Sequence, residues 1–204
     1  IRDLVRSRGL GDVYKRQSAY TAFANNGMRV DPIMVTAIAD GNGNIISEFT
    51  PKHTEVLSET AYWRILSMLL NVVDDGTAHK LRSVYNLRAE MGGKTGTTNY
   101  NADGWFMGFT PQIVAATWVG GDERYIHFNG MGYGQGSAMA LPIYGLFMKK
   151  IYGDRSLPYT QDAKFDFPTS INLCEKEYYG SYGGSESSES NAEELSLIHI
   201  SEPT

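Results

Sequence analysis

The sequence predicts an α+β fold, with an antiparallel sheet flanked by helices. Two β-rich runs, 34–39 and 45–49, are separated by Asp40-Gly41-Asn42-Gly43, a strong hairpin turn. Two more runs, 105–110 and 113–119, are joined by Thr110-Pro111-Gln112. Between these pairs, and again over 141–152, the pattern is helical. At 204 residues the chain suits one domain, or a piece of a larger one.

Taken in order, residues 18–28 (SAYTAFANNGM) read as a short helix. Ala19, Ala22 and Phe23 share a face, and Asn26-Gly27 supplies the stop. The hairpin follows. Ser58 is a plausible N-cap for the clearest helix, whose apolar residues Tyr62, Ile65, Leu66, Leu69, Val72 and Val73 recur at steps of three and four. Asp74-Asp75-Gly76 ends it. Residues 79–88 read as a polar connection. Strands over about 89–97, 104–110 and 113–119 then form an antiparallel meander. A glycine-rich loop spans 130–136. The helix over 141–152 carries Pro142 in its expected first turn, Lys149 and Lys150 near its C-terminus, and Gly153 as its close.

The two ends differ in character from the rest. Residues 1–17 (IRDLVRSRGLGDVYKRQ) and 195–204 (LSLIHISEPT) are expected to be non-native, adaptor-derived segments and are set aside from fold reasoning. That leaves a domain over 18–154, a C-terminal extension over 155–179, and a Gly/Ser/Glu tail over 180–194 too poor in apolar residues to order.

Composition excludes several functions. Formal net charge is −5 and no basic stripe is present, so nucleic acid is not an expected partner. Cys174 is the only cysteine and cannot form an intrachain disulfide. No apolar run reaches the roughly 18 residues of a membrane span, so if the protein is membrane-anchored, the anchor is expected to lie outside these residues. His53, His79, His127 and His199 lack metal-ligand spacing, and Asp122-Glu123 reads as a solvated strand end. His79 alone lies near the expected cleft. Tyr133, in the glycine-rich loop, is a weaker candidate for substrate contact.

The most informative stretch is Gly92-Gly93-Lys94-Thr95-Gly96-Thr97-Thr98-Asn99. Its core sets a cation and two hydroxyls on a strand. Alternate strand residues point to the same side, so Thr95 and Thr97 can jointly grip a carboxylate. Gly96 leaves room for an acyl chain, and a backbone N–H at this edge can donate to the oxyanion of a tetrahedral intermediate. A phosphate-binding loop would need a glycine at position 88, where the chain has Arg88. A chance surface turn is the bland alternative.

Beyond this motif, the chain resembles the C-terminal half of the transpeptidase domain of class A (bifunctional) penicillin-binding proteins. The segments SAYTAFANNGMRVDPIMV, VVDDGTA, MGGKTGTTNYNADGWFMGFTP, TWVGGDE and ALPIYGLFMKKIY follow that family's order and spacing over about residues 18–154. The resemblance implies a partial serine β-lactamase/penicillin-binding fold and a D,D-transpeptidase that cross-links peptidoglycan by acyl transfer. It implies peptidoglycan stem peptides ending in D-Ala-D-Ala as substrates, β-lactams as ligands, and no cofactor. It also implies an upstream glycosyltransferase domain and a place at the extracytoplasmic face of a bacterial inner membrane. Lys94 would be the third-motif lysine and the Thr97 N–H an oxyanion donor. Thr95 and Thr97 would bind the terminal carboxylate, with Gly96 between them, while Thr98, Asn99 and Trp105 would line or support the cleft.

The family's two upstream motifs are not in this sequence. No serine is followed by a lysine three residues later, and Ser170-Ile171-Asn172, the one Ser-x-Asn, lies after the third motif. The expectation is that these 204 residues alone are catalytically inactive. A serine β-lactamase-like hydrolase and a non-catalytic envelope-binding domain are the alternative readings.

Overall fold

Helix α1 (Leu10–Ala24) opens the structure, a computed structural model that describes residues 10–168. It begins eight residues before the expected start at Ser18 and runs unbroken past it. Its contacts with the sheet explain this better than its periodicity. Gln17 Nε2 donates to the Val114 carbonyl at 2.7 Å, and the Arg16 guanidinium stands 4.3 Å over the Trp105 ring. The stop falls where the sequence puts it. Asn26 turns to φ 48°, and the Gly27 N–H reaches back to the Ala22 carbonyl at 2.8 Å, the six-to-one bond of a Schellman close. A Cβ on Gly27 would lie 2.7 Å from the Leu57 carbonyl oxygen, so both the turn and this close approach need glycine.

Four short strands follow: β1 (Met28–Val30), β2 (Ala37–Ala39), β3 (Ile45–Glu48) and β4 (His53–Glu55). β2 and β3 form the expected hairpin, with a register shift between Ile38 and Ala39. β1 and β4 pair antiparallel as a separate two-stranded sheet, Met28 opposite Glu55. Helix α2 (Glu59–Asp74) buries Tyr62, Trp63, Leu66 and Val73. Ser58 occupies the N-cap position, but its side chain makes no capping hydrogen bond. The expected polar connection instead contains a helical turn, α3 (Lys80–Ser83), that buries Leu81.

The three-strand meander is present as β5 (Gly92–Thr97), β6 (Asp103–Phe109) and β7 (Val114–Gly120), with β5 at one edge. Gly92, Lys94 and Gly96 lie opposite Phe109, Met107 and Trp105 and share one face; Gly93, Thr95 and Thr97 lie opposite Gly108, Phe106 and Gly104 and share the other. On the first face Phe109 is fully buried among Tyr62, Trp63 and Leu66, with Phe23 of α1 at 5.8 Å. A turn, α4 (Met131–Gly134), leads into α5 (Gly136–Gly153), which covers the second face; Tyr144 meets Phe106 edge-on at 4.9 Å. α5 starts five residues before the expected Leu141, so Pro142 sits inside the helix and not in its first turn. The packing of Met139 and Ala140 on the sheet carries the helix through it.

The segment after α5 closes over the first face. Phe165 is buried against Phe109, and the Phe167 ring lies tilted on Trp63 at 4.8 Å. Its backbone is tied to residues just ahead of β5. The Phe165 N–H donates to Glu90 Oε2, and Gln161 Oε1 accepts from the Arg88 N–H, both at 2.7 Å. The readings of 180–194 and 195–204 lie outside the described residues, as does that of 1–9.

Candidate active site

β5 holds the expected motif on an edge strand, and the ladder decides which backbone groups are on offer. The Thr98 N–H donates to the Asp103 carbonyl at 3.0 Å, so this pair is hydrogen-bonded. Antiparallel rungs alternate. The backbone N–H and C=O groups of Thr97 and Thr95 therefore point away from β6, toward the open edge. Lys94 is exposed and curls to the same edge, its Nζ donating to the Thr95 carbonyl at 2.8 Å.

The hydroxyls line the other side of the strand. Thr95 Oγ1 is 3.2 Å from Thr77 Oγ1, and Thr97 Oγ1 accepts from the Gly136 N–H at 2.9 Å. Thr97 and Thr77 are exposed, and Thr95 is half-buried. Thr77 is a neighbour of the motif that sequence reasoning did not single out. It lies in the VVDDGTA segment, where Gly76-Thr77 directly after a helix stop was the available signal. His79, on the other hand, caps α2, with Nδ1 on the Asp74 carbonyl. Tyr133 is exposed on the α4 turn.

The β5–β6 connection is held by a buried carboxylate. Asp103 Oδ2 accepts from Thr98 Oγ1 at 3.1 Å and Oδ1 accepts from Trp118 Nε1 at 3.2 Å, while the Asp103 N–H donates to Thr98 Oγ1 at 2.9 Å. Thr98 thus supports the strand end and its hydroxyl is used up internally. Between these anchors Tyr100 and Asn101 both take left-handed backbone, φ 61° and 57°, a conformation a non-glycine residue holds only when its surroundings impose it. Asn99 is exposed at the start of this turn. Trp105 lies on the Lys94 face, its ring 6.4 Å from Trp118. Beyond the turn, a pocket of about 280 Å³ is lined by Asn101, Val119, Ile126, Phe128 and Met139. Among the described residues no cluster of His, Cys, Asp and Glu has the makings of a metal site.

Residues 16–137 match the family model described as the penicillin-binding protein transpeptidase domain. The chain belongs to this family. Among transpeptidase-domain relatives, penicillin-binding protein 1A of Aquifex aeolicus is 38% identical over 134 residues, covering 66% of this chain and 18% of the relative. That of Rickettsia bellii is 34% identical over 181 residues, covering 76% and 21%. The chain therefore spans about a fifth of the relatives' length. Two solved structures share the fold. Penicillin-binding protein 1A from Haemophilus influenzae superposes with a TM-score of 0.63 at 23% identity, over 75% of this chain and 27% of that one. PonA1 from Mycobacterium tuberculosis gives 0.62 at 19%, over 90% and 46%. The expected fold, an antiparallel sheet with flanking helices of the penicillin-binding type, is the one observed.

Proposed function

We propose that this chain supplies the substrate strand of a serine D,D-transpeptidase that cross-links peptidoglycan stem peptides. The observation that carries this reading is the edge strand itself. Lys94 and the outward Thr97 N–H share the open edge of β5, and the Thr95 and Thr97 hydroxyls line the adjoining face, in a chain matching the transpeptidase family. In this reading Thr95 and Thr97 bind the terminal carboxylate of D-Ala-D-Ala, or that of a β-lactam, and Gly96 admits the acyl chain. A serine from a segment outside these residues attacks the penultimate D-Ala carbonyl. The oxyanion accepts from the Thr97 N–H, and the terminal D-Ala leaves with a proton on its amine. An amine of a second stem peptide then displaces the serine.

The same reading assigns Lys94 to the electrostatics of the nucleophile, and Asn99 and Trp105 to the cleft wall. It gives the whole protein a glycosyltransferase domain and a membrane anchor in further segments, with the site on the extracytoplasmic face of the envelope. Among the described residues no helix is long and apolar enough to cross a membrane. Residues 1–17 and 195–204 are assigned to non-native ends. Sequencing the source DNA across Ser18 tests this, because a frame continuing upstream into Ser-x-x-Lys and Ser-x-Asn is required.

The direct test is intact mass after incubation with a β-lactam. These 204 residues alone should gain no mass. A longer product of the same gene that includes the Ser-x-x-Lys segment should gain one equivalent, and Lys94→Ala in it should slow that gain by about 10²-fold or more. A stoichiometric adduct on the short chain would overturn its assigned inactivity. No adduct on the long one would overturn the transpeptidase reading.

A further inference from the structure

We infer that Gly136 is a positioning residue: its backbone N–H, at the start of α5, fixes the Thr97 hydroxyl as a hydrogen-bond donor to the ligand's carboxylate. The inference rests on the proposed role of Thr97 and adds what selects the acid form. A hydroxyl has one proton and two acceptor lone pairs. In this structure one lone pair of Thr97 Oγ1 accepts the Gly136 N–H at 2.9 Å. The proton is thereby turned elsewhere, and Thr97 is exposed. The N–H also belongs to the first turn of an 18-residue helix, whose positive end raises the potential where a carboxylate would sit. A neutral C-terminal amide gains little from that field.

The arrangement requires glycine. The first residue of α5 rests directly on the β5–β6 backbone. A Cβ on Gly136 would lie 2.4 Å from the Gly96 carbonyl oxygen and 2.6 Å from that of Trp105. Both obstacles are backbone and cannot swing aside. A methyl group there lifts the end of α5 off the strand and pulls the N–H from Thr97. Gly104 completes the seam, since its missing Cβ would stand 3.3 Å from Gly136 Cα. Two glycines, 104 and 136, thus bring a helix terminus to one hydroxyl.

The test uses the full chain and two measurements. First, amide exchange at Gly136 is compared between wild type, Thr97→Val and Thr97→Ser. Thr97→Val should speed it about tenfold and Thr97→Ser should not, because only the serine keeps the acceptor. Second, N-acetyl-D-Ala-D-Ala and its C-terminal amide are titrated by NMR. Wild type should prefer the acid about tenfold, as a charge-assisted bond allows. Thr97→Val and Gly136→Ala should each remove the preference, and the double variant should be no worse than either single. Multiplicative losses, or a preference untouched by Gly136→Ala, overturn the inference while leaving Thr97 as the carboxylate ligand. So does Gly136 exchange that ignores Thr97→Val, a result that does not need Gly136→Ala to fold. If wild type has no acid preference although Thr97 protects the Gly136 amide, the proposed role of Thr97 falls and the inference falls with it.

Discussion

Two antiparallel units in this molecule announce themselves equally in the sequence and end in opposite circumstances. The meander β5–β7 is covered on both faces, with Phe106 and Phe109 fully buried. The hairpin β2–β3 is bare on both: the successive residues Ile45 and Ile46, on opposite faces, are 63% and 69% exposed. Turn chemistry does not distinguish them. Asp40 closes the hairpin with Oδ1 accepting from the Asn42 and Asn44 N–H groups at 2.9 and 2.8 Å. What differs is what lies above and below. Local signals locate strands, while burial decides how much each strand contributes to stability. The candidate site belongs to the covered unit, where an edge strand can be held rigid from behind.

The sharpest way to break this contrast is Phe109→Ala. Its ring fills the space left by Gly92, whose absent Cβ would meet the ring at 2.5 Å, and it also touches Phe165. Removing it should cost about 3–5 kcal/mol, read as the urea midpoint with the slope unchanged. A loss below about 1 kcal/mol would mean that the covered face is not load-carrying. Arg82→Met should come next. The Arg82 guanidinium pairs with Asp74 at 2.8 Å and also donates to the Leu87 and Ala89 carbonyls, both at 2.7 Å, fixing the approach to β5. Hydrogen bonds from a charged donor suggest about 2–3 kcal/mol, with faster amide exchange confined at first to residues 86–92.

Much of this was legible beforehand, for definite reasons. The α2 stripe and the three strands were read to within a few residues because periodicity and turn residues act locally. What escaped depends on distant partners. Gly136 and Ser137 are weak helix formers ahead of Pro142, yet they are helix because Gly136 and Met139 dock on Gly96 and Gly104. Residues 79–88 look polar because Arg82 makes its bonds to backbone carbonyls that no pattern reveals. The strap over 155–168 is visible only as Phe165 and Phe167 in a polar stretch. In the site, the motif gave the strand and the side on which the threonines stand, but Thr77 and the Gly136 N–H come from elsewhere in the chain.

Alkaline pH should separate the two units without mutation. Burial pushes the Tyr62 phenol up to about 12, and burial likewise raises Tyr144, Tyr20 and Tyr152. A phenol raised in the folded state stays neutral there while the unfolded chain ionises near pH 10. The stabilisation is therefore complete below about pH 10 and is lost as pH climbs toward 12. The urea midpoint should fall between pH 9 and pH 11, and Tyr62→Phe should flatten that fall. The hairpin holds no tyrosine and should not contribute.

The smallest effect belongs to Ile46→Thr, and it tests the contrast from the other side. Ile46 lies in β3 with 69% of its surface exposed. Threonine keeps the β-branch that suits a strand, so only solvent-facing methyl surface changes. The expected shift is within about 0.5 kcal/mol. The same isoleucine-to-threonine exchange at a buried strand position would lose packing and also bury a hydroxyl. A cost above about 1.5 kcal/mol at Ile46 would show that something covers the hairpin in solution, and its exposure would no longer explain the difference between the two units.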